Sequence, residues 1–235
     1  MQDTIAEKVK ESEAAPASMA GVDTHEIVFD LIKKHLTKPS RVIDLGAGEG
    51  AFSIKLQKLG HHVLAVDGSR ENWKVKDIEL KVENLDSEFA GKIITNDEKY
   101  DAIVAIEIIE HLENPFCFAR ECAKLLKPGG FVFLTTPNVE AVNSRLIYFY
   151  TGRLNYFGEY ETVRPAHITP IFKWKLEMLL EEAGFEIAWE GFNRYKYETG
   201  TNLKGKIGGL IGRLMSPLLK GEKGGEGRII IAQLK

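Results

Sequence analysis

A five-residue turn holding three glycines constrains this chain more than any other feature. It reads Gly46-Ala47-Gly48-Glu49-Gly50 and follows directly on the apolar strand pattern Arg41–Leu45. The helical pattern Ala51–Leu59 begins at its far end. Glycines let a backbone bend sharply and come close to a ligand. The helix start behind them offers unpaired N–H groups. Seventeen residues after Gly50, a second apolar run, His62–Val66, ends in Asp67. A carboxylate placed there accepts both hydroxyls of a ribose. Glycine turns alone are common, but one between strand and helix, with an acid closing the next strand, is specific for a nucleotide.

The strand–helix rhythm continues along the chain. Helices are predicted over His25–Leu36 (with Asp23 or Thr24 as cap), Glu71–Lys76 (weakly), Pro115–Leu126 and Phe172–Glu182. Strands are predicted over Ile78–Val82, Tyr100–Ile106, Phe131–Thr135, Phe185–Trp189 and Ile229–Leu234. Near-continuous apolar strands alternating with helices mean a mostly parallel sheet covered on both faces. No helix of standard length is expected between the last two strands, so they pair antiparallel at one edge. Ligands of such sheets bind beyond the carboxyl ends of the strands, at the switch point.

Asp44 discriminates between nucleotides. Gly46-x-Gly48-x-x-Ala51 also satisfies the NAD fingerprint, so an NAD-dependent oxidoreductase is one reading. A pyrophosphate over this turn would be repelled by the Asp44 carboxylate, whereas an ammonium would be attracted. S-adenosylmethionine carries an ammonium and no phosphate, so Asp44 favours it over NAD. The plainer role for Asp44 is to cap the turn backbone.

Taken together, DLGAGEG, AVDGS, YDAIVAIEIIEHLENP and LLKPGGFVFLTTPN resemble the class I S-adenosylmethionine-dependent methyltransferases, over about residues 25–190. The resemblance implies an α/β, Rossmann-like, seven-stranded, mostly parallel sheet with an antiparallel last strand and helices on both faces. Carried over by position, Gly46, Gly48 and Gly50 line the methionine part, Asp44 faces its amino group and Asp67 holds the ribose. Asn84-Leu85 stands where the family often has Asp-Leu, facing adenine. Ile106 and Glu107 flank the methionine chain. An Asn-Pro-Pro-Tyr type motif is absent after strand four, which argues against that class of amino-group methylation.

Glu107, Glu110 and His111 are spaced i, i+3 and i+4, so a helix there projects all three from one face. His167, in the Pro-Ala-His-Ile-Thr-Pro run that ends at Pro170, follows strand five, the neighbour of strand four in this fold. Two carboxylates and two imidazoles suit a divalent ion with two open positions; Mn²⁺, Fe²⁺ or Zn²⁺ fits two histidines better than Mg²⁺. The same set resembles two subfamilies, the ubiquinone-pathway O-methyltransferases and the small-RNA 3′-terminal 2′-O-methyltransferases. His111 or His167 as a metal-free general base is the competing assignment. A structural one has Glu110 bonding backbone and His167 capping the helix near Pro170. His61 and His62 are expected in an exposed loop.

Composition narrows the class. The chain has 235 residues, 44% hydrophobic and 28% charged, which excludes a disordered chain, a collagen-like repeat or a disulfide scaffold. A net charge of −3 gives no basic signature for nucleic acid. Cys117 and Cys122 read as reduced thiols, and the polar N-terminus lacks a signal-peptide core, so a cytoplasmic location is expected. Residues 1–22 read as a loose arm and 23–235 as one catalytic domain. Within it, an aromatic insertion over about 138–170 is expected to be a substrate lid, with Arg145, Arg153 and Arg164 near an anionic group. The expected acceptor is a hydroxyl on a small or lipid-linked molecule, quinone-type or saccharide. Residues 204–220 carry four basic residues and no acid, with apolar residues at helical spacing. They suit peripheral contact with an anionic membrane. Four glycines (Gly205, Gly208, Gly209 and Gly212) and Pro217 make a poor free helix and favour packing on the sheet, or partial disorder.

Overall fold

The structure, a computed structural model, describes residues 15–18, 20–21, 23–94, 98–163, 166–194, 197 and 201–235. Most of the expected arm over 1–22, and Arg164, lie outside the described residues. Where the arm is described, the Ala17 N–H donates to Glu49 Oε2 at 2.8 Å.

Seven strands form one sheet: β1 (Arg41–Leu45), β2 (His62–Asp67), β3 (Glu79–Val82), β4 (Tyr100–Ala105), β5 (Leu126–Pro137), β6 (Phe185–Phe192) and β7 (Gly227–Leu234). Their order is β3-β2-β1-β4-β5-β7-β6. The first five run parallel, and β7 inserts antiparallel between β5 and β6. The chain reverses direction across the sheet between β1 and β4, which places the switch point at the glycine turn.

The helices are α1 (Thr24–His35), α2 (Ala51–Lys58), α3 (Ala90–Ile93), α4 (Pro115–Leu125), α5 (Val142–Thr151), α6 (Lys173–Glu182) and α7 (Leu203–Met215). Strand alternation sorts the core into two layers. On one face, Val42, Ala102, Val104 and Phe133 meet Val28 and Ile32 of α1 and Phe52 and Leu56 of α2. On the other, Ile43, Ile103, Val132 and Ile230 meet Phe118 and Leu125 of α4 and Leu176 and Leu180 of α6.

Three expectations are corrected. Residues 71–76 form turns rather than a helix, because Trp73 and Val75 fold back over Gly50 and the Lys74 N–H reaches the Glu49 carbonyl at 3.3 Å. His61 is buried, its ring accepting from the Ser40 N–H at 3.2 Å, while His62 is an exposed strand residue. Between β6 and β7 there is a helix of standard length, α7. The Asn202 side chain caps it by accepting from the Gly205 N–H at 2.8 Å, and it packs on α5 rather than on the sheet. No helix among the described residues is long and apolar enough to cross a membrane.

Candidate active site

The glycine turn has the backbone that its sequence requires. Gly46, Gly48 and Gly50 all have positive φ, at 77°, 55° and 91°. A Cβ at Gly46 would lie 2.9 Å from Ile108, and one at Gly50 would lie 2.4 Å from Val75. Side chains at these two positions are therefore excluded by space as well as by φ. The N–H groups of Gly46 and Ala47 both donate to the Val66 carbonyl, at 2.8 and 3.1 Å, which ties the turn to the end of β2.

Asp44 and Asp67 flank this turn. Asp44 is buried and accepts from the Ser53 hydroxyl at 2.6 Å. Burial pushes its carboxyl up to about 6, against the Ser53 hydrogen bond and with the help of the Asp67 charge. A buried carboxylate with one hydroxyl partner is where an ammonium gains most. Asp67 accepts from the Gly48 N–H at 2.8 Å and from the Ser69 N–H at 3.1 Å, one bond to each oxygen. A carboxylate has about four lone-pair sites, so both oxygens keep capacity for ribose hydroxyls. Asn84 is exposed and its Oδ1 accepts from the Asp86 N–H at 2.9 Å; Leu85 beside it is buried.

Ile106 and Glu107 follow β4. Glu107 has φ 51°, an uncommon conformation for a residue with a side chain. Thr135 on β5 holds it from both ends, accepting from its N–H at 3.0 Å and donating to its Oε1 at 2.8 Å. Strained backbone over-determined in this way clusters at active sites. The helix expected over 107–111 is reduced to a single 3₁₀ turn, Ile109–His111, because Glu107 is left-handed.

The structure consequently divides the four proposed metal ligands. Glu110, His111 and His167 each offer one ligand atom within 4.8 Å of the others. Glu107 falls outside that set, bound to Thr135. The His111 and His167 rings meet edge to face with centroids 4.6 Å apart. His111 Nδ1 lies 3.0 Å from the Ala166 carbonyl, and His167 Nδ1 lies 2.7 Å from the Tyr156 carbonyl. A carbonyl only accepts, so each Nδ1 carries a proton and each Nε2 is the ring atom left to face the other groups of the set. His167 therefore does not cap α6.

Glu110 is fully buried. Its Oε2 accepts from the Thr136 hydroxyl at 3.0 Å, and its Oε1 has no hydrogen-bond partner. Burial, and then the Glu107 carboxylate, hold it well above the ordinary carboxylate range. His111 is lowered by burial and by His167. The returning chain locks this turn, since the N–H groups of Ile168 and Thr169 both donate to the Glu110 carbonyl at 3.0 Å.

Sequence reasoning missed Thr135, Thr136 and Tyr156. The pair of hydroxyls closing an otherwise apolar strand, Phe-Leu-Thr-Thr, was the available signal. Tyr156 has φ 65°, and burial with the Glu226 and Glu107 carboxylates drives its phenol up. Arg145 is committed to structure, donating to the carbonyls of Glu140, Lys220 and Glu222.

Comparison with known proteins identifies the family and the fold. A family model described as a methyltransferase domain matches residues 22–189. The ubiquinone biosynthesis O-methyltransferase of Maricaulis maris is 33% identical over 103 residues, 42% of this chain and 41% of that protein. The protein of that name from Xanthomonas axonopodis is 36% identical over 111 residues, 42% of this chain and 44% of that protein. The chain thus spans about two fifths of the length of the curated relatives it matches. Among solved structures, an S-adenosylmethionine-dependent methyltransferase of Archaeoglobus fulgidus superposes with TM-score 0.62 at 18% identity, over 89% of this chain and 94% of that one. A Burkholderia thailandensis N1-methyltransferase holding S-adenosylhomocysteine gives TM-score 0.57 at 14% identity, over 95% and 80%. These two likenesses carry the fold.

Proposed function

The chain belongs to the methyltransferase-domain family, among the class I S-adenosylmethionine-dependent enzymes, and from that premise we propose that it methylates a hydroxyl group of a small or lipid-linked molecule. Bound S-adenosylmethionine supplies an electrophilic methyl on a sulfonium. The chain's own residues do the rest. Asp44 faces the amino-acid ammonium, the glycine turn admits the methionine chain, Asp67 holds the ribose, and Asn84 and Leu85 meet the adenine. Methyl transfer then requires an oxygen nucleophile aligned and ionised.

The observation that carries the proposal is the Glu110–His111–His167 convergence. Both imidazoles are oriented by carbonyls, and the buried Glu110 Oε1 is without a partner. Metal-ligating histidines usually donate their other ring N–H to such a carbonyl or carboxylate. Two imidazoles and one carboxylate fit Mn²⁺, Fe²⁺ or Zn²⁺. A cation held by Glu110, His111 and His167 would supply Lewis acidity, lowering the pKa of a neighbouring hydroxyl. A vicinal diol or catechol would suit such a site best, on a quinone-type or saccharide acceptor, and the O-methyltransferase names of the curated relatives support a hydroxyl as the group methylated. A terminal RNA ribose has the same chemistry, but the net charge of −3 disfavours it.

A metal-free reading has its own support. Burial and His167 keep His111 neutral, with Nε2 free to take a proton. Calorimetry with Mn²⁺ in the presence of S-adenosylhomocysteine separates the two. The metal reading expects binding that is lost, by tenfold or more, in His167→Ala. Retained binding of S-adenosylhomocysteine with no Mn²⁺ heat would leave His111 as the base. No binding of S-adenosylhomocysteine at all would sink the methyltransferase proposal.

A further inference from the structure

Helix α7 packs with its small residues inward and its large apolar residues outward. Gly205, Gly209 and Gly212 are its buried positions. A Cβ at Gly212 would lie 3.0 Å from Leu146 and 3.2 Å from Val142, so the glycine stripe seats α7 closely on α5. The opposite stripe is exposed: Leu203, Ile207, Leu210, Ile211 and Leu214, with Leu218 in the turn that follows. At 3.6 residues per turn, the five on α7 fall within an arc of about 100°. Leu214 is 71% exposed and Leu218 82%. On α5, Phe149 and Tyr150 continue the stripe of Val142 and Leu146 that meets α7; Phe149 is 88% exposed. A soluble surface rarely leaves so many large apolar residues together without an occupant.

The charge around the stripe identifies that occupant. Lys204 borders it on one side, and Lys206 and Arg213 on the other; all three are exposed, and so is Lys220. No acid occurs between Leu203 and Lys220. An apolar stripe flanked by cations is the form of a helix lying in a membrane interface. A second copy of this chain would bring the same cations against one another. We propose that the outer face of α7, extended by the aromatic end of α5, docks on the surface of a bilayer containing anionic lipid. α5 belongs to the segment whose later carbonyls, Tyr156 and Ala166, face His167 and His111. The docking is independent of the catalytic reading, although a lipid-linked acceptor would use it.

The test is co-sedimentation of the full chain with two kinds of vesicle, phosphatidylcholine alone and equimolar phosphatidylcholine and phosphatidylglycerol. Binding to the second and not to the first is expected. Leu210→Glu with Leu214→Glu should reduce it at least tenfold, and Lys204→Ala and Lys206→Ala about fivefold each. These positions are exposed, so melting temperature and S-adenosylhomocysteine affinity should not change. Binding that ignores lipid charge or survives the glutamates would overturn the proposal. So would absence of vesicle binding, whether the chain is a monomer or forms a dimer that Leu210→Glu dissociates. Cofactor titration on the same samples keeps a failure here distinct from a failure of the methyltransferase reading.

Discussion

Asp44→Asn raises the melting temperature of the ligand-free protein and removes most of its affinity for S-adenosylhomocysteine. Both effects come from one buried charge. Burial lifts the carboxyl from its ordinary 3.8 to about 6. For an acid raised on folding, the folded chain binds the extra proton between those two values. The destabilisation therefore grows across that interval and is complete above about pH 6. At neutral pH it is worth at most about 3 kcal/mol, which asparagine removes in large part. A gain of about 1–3 kcal/mol should raise the melting temperature by several degrees in a chain of this size. The cost is the charge-assisted contact to the ammonium, roughly 1.5–3 kcal/mol, or about 10- to 100-fold in affinity. In the wild type, affinity should fall towards tenfold per pH unit below about 6 and be flat above it; in the variant it should be flat throughout. Thermal melts and calorimetry over pH 5–8 check this. Unchanged affinity in the variant would remove Asp44 from the ammonium.

Arg228→Ala should remove a large share of the stability. Arg228 is 1% exposed. Its Nη1 bonds Glu190 at 2.6 Å and its Nη2 bonds Glu140 at 2.7 Å, with the guanidinium over the Phe192 ring. Lys173 joins the same pair, through Nζ to Glu190 at 2.7 Å and through its N–H to Glu140 at 2.8 Å. Breaking a buried pair by removing one partner costs about 3–5 kcal/mol, because the other charge stays behind. Lys173 and partial exposure of the two carboxylates place this case at the lower end, about 3 kcal/mol. Urea unfolding would measure it. Adding Glu140→Gln and Glu190→Gln to Arg228→Met should recover more than half of the loss. A loss below about 1 kcal/mol would mean that the cluster is surface chemistry.

The two kinds of site residue were not equally legible. Asp44, the three glycines and Asp67 depend on local order along the chain, so strand, turn and spacing revealed them. The Glu–His set was legible as residue types but not as geometry. Its helix spacing put Glu107 with the others, whereas a left-handed Glu107 turns it towards Thr135. That contact lies across two strands, and periodicity has no access to it. Helix α7 misled for a related reason. Its glycines lower helix propensity in a free chain, but in the fold they are what lets α5 approach. His61 failed because its burial depends on Ser40, 21 residues earlier.

The sheet's connectivity sets the order in which this protein can be made. Among the described residues β6 pairs with β7 alone, and β7 is the last of the seven strands to be synthesised. While the ribosome is still adding residues, β1–β5 can assemble with the glycine turn and Glu110. The β5 edge meanwhile stays open, and β6 has nothing to join. Arg228 also arrives with β7, so until that point Glu140 and Lys173, at the two stems of the 138–170 segment, have their mutual N–H to carboxylate bond but not the guanidinium that ties Glu140 to the sheet. The nascent chain thus carries an exposed strand edge beside a segment that lacks its Arg228 tie. Long-range pairing of this kind is slow and prone to aggregation. A chaperone that covers the β5 edge would protect it over this window, and a ribosomal stall before Gly227 would prolong the exposure.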